Sequence, residues 1–122
     1  MTFDQKRPPK SQLESTLRFM GIPCNCVGYE YALTAVPYVA EHLPFMEVYR
    51  RTGADHNTTW AAVERGLRIA AEGSVERAGL DTMAGIYGNS LRPCGAPTVS
   101  HMLVTAARLW YGMLPNSRTR IL

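Results

Sequence analysis

The stretch Asn57–Arg68 reads NTTWAAVERGLR and sets Glu64, Arg65 and Arg68 among small apolar residues. These residue types can read DNA. Arginine offers a planar fork of donors that matches guanine O6 and N7, and a glutamate can accept from cytosine N4. Wound at about 3.6 residues per turn, the segment puts Val63, Leu67 and Ala70 on one side. Ala61, Glu64, Arg65, Arg68 and Glu72 fall on the opposite side. The apolar side packs and the charged side faces out. An ordinary solvated face, with Glu64 and Arg68 as an i,i+4 ion pair, accounts for the same pattern. The residues alone leave both readings open.

Other chemistries find little support. The three cysteines, Cys24, Cys26 and Cys94, are an odd number, and His42, His56 and His101 are scattered. A structural zinc site needs four well-spaced ligands, which this set does not supply, so no metal is expected and the thiols read as small apolar side chains. No Ser/His/Asp or Cys/His spacing, phosphate-cradling glycine loop or paired-carboxylate motif stands out, so neither an enzyme nor a cofactor is expected. The opening decapeptide MTFDQKRPPK has no secretory apolar core, and the most apolar run, Tyr31–Ala40, is far too short to cross a bilayer. A cytoplasmic protein in a reducing compartment is the expectation. The net charge is +3. Residues 1–76 hold eight Lys/Arg against nine Asp/Glu, whereas residues 77–122 hold five arginines against Asp81 alone. Eleven of the thirteen basic residues are arginine, which suits bidentate contacts to phosphate or guanine.

With 122 residues, 46% hydrophobic and 19% charged, the chain is long enough for one folded domain with a core of its own. Residues 1–10 read as a flexible arm, 11–115 as the domain, and 116–122 as a basic tail. Ser11-Gln12-Leu13-Glu14 has the form of a capping box, followed by Leu13, Leu17 and Met20 at helical spacing and a stop at Gly21-Ile22-Pro23. A second helix is expected over 28–41 with Tyr29, Leu33 and Val36 as its stripe, Pro37 beginning, ending or kinking a turn. Pro44 opens a third helix with Phe45, Val48 and Tyr49 inward, ending near Gly53. Thr58 or Thr59 caps a fourth over about 60–72, and Gly73 and Gly79 bracket a linker. Leu80–Tyr87 forms a brief helix closed by Gly88. After the loop NSLRPCGAP, Thr98 caps the last helix, which carries Val99, Met102, Leu103, Ala106, Leu109, Trp110 and Met113 on one stripe as far as Pro115. The fold class is therefore all-α, with about six helices.

The third helix, a short turn and the fourth helix have the spacing of a helix-turn-helix, whose second helix enters the major groove with its N-terminal residues nearest the bases. From about residue 15 to residue 114 the chain also resembles the C-terminal DNA-binding effector domain of the stage zero sporulation protein A family. The matching pieces are GIP (21–23), GYEY (28–31), NTT (57–59), VERGLRIAAE (63–72), LD (80–81) before a short helix, and PTVS (97–100). The resemblance implies a compact six-helix bundle around a helix-turn-helix, binding double-stranded DNA to regulate transcription. It makes Glu64, Arg65 and Arg68 the base readers. Thr58 and Thr59, with Thr98 and Ser100 at the opening of the last helix, would then lie near phosphates, where helix N-termini favour anions. Tandem dimers on neighbouring boxes are implied as well.

Several positions depart from the family pattern. Ala62 stands where the family has another arginine, and the loop before the last helix has only Arg92 where the family has lysines. Fewer phosphate contacts imply weaker binding and a shallower salt dependence. The segment between GYEY and NTT is shorter. Trp60, bulky at the helix start, either packs on the sugar-phosphate backbone or covers the core edge, and packing in the protein is the expectation. Family regulators carry an N-terminal receiver module, which ten residues cannot replace; if the chain is the whole protein, its switch is not phosphorylation-driven dimerisation, and if it is an excised domain, the switch lies in the part left behind. The alternative is a degenerate member of the fold acting as a protein-interaction module or antagonist. An exposed apolar patch over Trp60, Tyr49 or Trp110 would favour it.

Overall fold

Six helices carry the described chain, residues 8–88 and 95–112 of a computed structural model. They are α1 (Lys10–Phe19), α2 (Val27–Ala40), α3 (Phe45–Asp55), α4 (Trp60–Ala78), α5 (Leu80–Tyr87) and α6 (Val99–Tyr111), and no strand occurs among the described residues. The all-α expectation holds. Residues 1–7, the expected tail 116–122, Arg92, Cys94, Met113 and Pro115 lie outside the described residues.

The apolar stripes close on one core. Leu13 and Leu17 of α1 and its C-cap Met20 are buried, as are Tyr29, Leu33 and Val36 of α2, Val48 and Tyr49 of α3, and Val63, Leu67 and Ala70 of α4. The α6 stripe supplies Met102, Leu103, Ala106 and Trp110. Helix α2 lies at the centre, packed against α3, α4 and α6, while α1 covers α6. Its crossing with α4 is unusually close. A Cβ on Gly28 would overlap the Gly66 carbonyl oxygen and come within 2.7 Å of Ala70 Cβ, and one on Gly66 would sit 2.8 Å from the Tyr31 ring.

Helix ends differ from expectation in four places. Helix α1 starts at Lys10 with Pro9 as its N-cap and no side-chain cap bond, so the Ser11/Glu14 capping box does not form. The chain is held one step earlier: Pro8 is buried, and the Trp110 indole donates to the Pro9 carbonyl at 3.0 Å. Helix α3 runs on past Gly53 to Asp55. Helix α4 runs through Gly73 to Ala78, so the linker expected between Gly73 and Gly79 is helical. Glycine costs about 1 kcal/mol in a helix interior, and packing outweighs it. Ser74 is buried and donates to the Ala71 carbonyl at 2.6 Å, and Gly21 presses on Ala78 and the Ser74 carbonyl. Helix α6 ends at Tyr111 with Gly112 as its cap, short of Pro115. By contrast, α1 stops where GIP predicts. Gly21 adopts φ +84, with Ile22 N–H bonded to Leu17 O and Gly21 N–H to Arg18 O, the paired bonds of a Schellman end.

The α2–α4 crossing makes a prediction with its own control. Gly28→Ala must push two backbones apart and should destabilise the fold by about 1–3 kcal/mol. Gly85, in α5, has nothing within 4 Å of an added Cβ. Gly85→Ala should be neutral or stabilising by roughly 0.5–1 kcal/mol. Denaturant unfolding of both variants measures the contrast, and equal effects would contradict the close crossing.

Candidate nucleic-acid interface

The residues NTT do specific work in the turn between α3 and α4. His56 is the C-cap of α3, and Asn57 takes the left-handed conformation at φ +58, which asparagine tolerates better than most side chains. Thr58 N–H then bonds to Gly53 O at 2.8 Å and Asn57 N–H to Ala54 O at 3.3 Å, closing a second Schellman end. Gly53 must be small because a Cβ there would lie 2.8 Å from the Thr58 carbonyl oxygen. Thr59 follows as the N-cap of α4, its hydroxyl accepting from Ala62 N–H at 3.1 Å. Four residues, His56–Thr59, therefore turn the chain from α3 into α4.

This turn is anchored to α2. The His56 Nε2 lies 2.8 Å from the Thr34 hydroxyl, and the His56 ring meets Tyr31 edge-on at 5.1 Å between centroids. The Tyr38 hydroxyl donates to Asp55 Oδ2 at 2.7 Å, and that bond is the first cause of a Tyr38 phenol held above its ordinary range. Tyr31 also packs against Gly66, so one ring braces both the turn and the middle of α4. The sequence pattern assigns Tyr31, Thr34 and His56 no part in this bracing. Only Asn57, sitting before a threonine N-cap, carried a local signal for its role.

With the packing side of α4 fixed, its other side faces solvent. Thr59, Trp60, Ala61, Ala62, Glu64, Arg65 and Arg68 line one open concavity of about 380 Å³. Arg65 is exposed, and Arg68 Nη1 donates to Glu64 Oε1 at 2.6 Å, with the two side chains 42% and 31% exposed. Such an exposed pair contributes only a few tenths of a kcal/mol to stability, but it restrains the Arg68 fork on this face. The Glu64 carboxylate also lies near Tyr49, whose phenol is raised mainly by burial and secondly by that charge. Trp60 is 46% exposed, contrary to the expectation that it packs inward. As the first residue of α4 it projects past the end of the apolar stripe formed by Val63, Leu67 and Ala70.

The residues expected near phosphates are not all brought together. Thr59 belongs to the concavity, and Thr58, half-buried in the turn, adjoins it in sequence. Thr98 caps α6, accepting from His101 N–H at 3.2 Å, and Ser100 lies in the first turn of that helix; neither lines the α4 concavity. Arg92 lies outside the described residues. Among the described residues no group of His, Cys, Asp and Glu is arranged to hold a metal ion, and no helix is long and apolar enough to cross a membrane. The caps generate a prediction: Thr59→Ala should cost about 1 kcal/mol of stability, the usual penalty for losing a threonine N-cap. Thr59→Ser should recover most of it in the same thermal melts.

Comparison with known families identifies the chain's family. The sequence profile of the family described as Sporulation initiation factor Spo0A C terminal matches residues 13–109, from the buried Leu13 of α1 to Leu109 near the end of α6. The match spans the turn, the concavity and all the helices between. The chain therefore belongs to the Spo0A C-terminal family, a family of DNA-binding effector domains of transcription regulators.

Proposed function

We propose that the protein binds double-stranded DNA sequence-specifically, with α3, the His56–Thr59 turn and α4 acting as a helix-turn-helix and α4 entering the major groove. The observation that carries this reading is the outward face of α4. Its arginines start about one and a half turns beyond a capped helix N-terminus and share one open concavity. Arg65 and Arg68 reach guanine O6 and N7. Glu64 takes either of two roles, accepting from cytosine N4 or steering the Arg68 fork to which it is bonded. Thr58, Thr59, Thr98, Ser100 and Arg92 contact phosphates and set the register of the helix on the duplex. Two copies bind neighbouring boxes, and the protein works in the cytoplasm as a transcription regulator.

The protein-interaction alternative draws on an apolar patch over Trp60, Tyr49 and Trp110. Tyr49 and Trp110 are only 9% and 2% exposed, so of these three aromatics Trp60 is the exposed one. With two of its three members buried, that patch is weak support for a protein partner.

Selection of bound sequences from a pool of random duplexes at two salt concentrations tests the proposal. Wild-type protein should enrich one short motif containing guanines. Arg65→Ala and Arg68→Ala should each lose roughly 1–3 kcal/mol of discrimination at one base pair. Absence of enrichment, or salt-sensitive binding indifferent to both substitutions, would exclude sequence-specific reading through α4.

A further inference from the structure

Trp60 is the large side chain of the α4 face that the proposed base readers leave unused. Its indole makes no hydrogen bond or ring contact among the described residues. The other tryptophan, Trp110, is buried and bonded to the Pro9 carbonyl. An aromatic of this size normally buries its ring and finds a partner for its N–H. Trp60 does neither in the free protein, although it shares a concavity with Arg65 and Arg68. Trp60, Glu64 and Arg68 follow each other at i, i+4 and i+8, so the indole continues the line of the readers back to the start of the helix.

That position has a distinct chemistry. The Thr59 hydroxyl takes the Ala62 amide, and the Thr59 carbonyl takes the Val63 amide at 3.1 Å. The amides of Trp60 and Ala61 have no acceptor among the described residues. The indole N–H is a further donor at the same end, and beside it lies an apolar ring face. Donors for an anion next to a flat apolar surface match a nucleotide backbone, in which a phosphate adjoins a deoxyribose. We infer that Trp60 clamps the DNA backbone at the start of α4, its N–H donating to a phosphate oxygen and its ring covering the adjacent sugar. The inference rests on the proposed major-groove reading and adds to it a contact that sets position without reading sequence. It also supplies a contact at the end of α4 where Ala62 offers no arginine.

The two tryptophans make the test direct, because only Trp60 is open to a neutral quencher such as acrylamide. Adding the duplex selected by the wild-type protein should shield that emission from acrylamide. Trp60→Ala should weaken binding about tenfold, and Trp60→Phe, which keeps a ring but loses the donor, about threefold. Each factor should be the same on the selected box and on a scrambled duplex, as a backbone contact requires. The side chain lies outside the core, and circular-dichroism melts check that the variants remain folded. Binding of Trp60→Ala within twofold of wild type, with Arg65→Ala and Arg68→Ala still defective, would overturn the clamp while leaving the groove reading intact. A loss confined to the selected box would also overturn it, because Trp60 would then read a base. If the wild-type protein selects no box at all, the groove reading and the clamp fail together.

Discussion

The close contact of α2 with α4 at Gly28 and Gly66 is the constraint on which the rest of the structure depends. Two helix backbones approach there because neither residue has a side chain, and Tyr31 fills the adjoining space. Van der Waals attraction falls steeply with separation, so this approach secures dense packing that larger residues would lose. It also sets the rotation of α4 about its own axis. With Gly66, Val63, Leu67 and Ala70 held against the core, Arg65 and Arg68 have no direction left except outward. The orientation of the charged face thus follows from packing on the opposite side of the helix.

The turn before α4 fixes the other coordinate, where the helix begins. Asn57 ends α3 and Thr59 starts α4, and His56 ties the pair to Thr34 and Tyr31 of α2. The same helix therefore braces both the start of α4 and its middle. A face supported in this way can present side chains without reorganising, which keeps the entropic cost of recognition low. The Glu64–Arg68 pair extends this order to the surface by restraining one guanidinium before any partner arrives.

Much of this was legible in the sequence, for identifiable reasons. Buried stripes in α2, α3, α4 and α6 had to follow helical spacing, and once Val63, Leu67 and Ala70 were inward, the outward position of Glu64, Arg65 and Arg68 followed. The α5 boundaries Leu80 and Tyr87 were marked by flanking glycines. What escaped depended on contacts distant in the chain. Gly73 looked like a helix stop, but Pro23 packs beside it and Ser74 is buried, so α4 continues. Ser11 looked like a cap, but Trp110 holds Pro9 and the helix begins earlier. Trp60 was expected to cover the core edge rather than the DNA backbone, yet it is exposed. Whether an indole at a helix start reaches the core is set by the position of neighbouring helices, which no local pattern encodes.

The central claim is that α4 meets DNA in the major groove through arginine donors. Guanine N7 lies in that groove and is methylated by dimethyl sulfate, so a methylation-protection footprint on a bound duplex reads the claim atom by atom. The account predicts protection of discrete guanines within the bound box. Tight binding with every guanine N7 still open to methylation would contradict it and place the protein on the minor groove or the backbone alone.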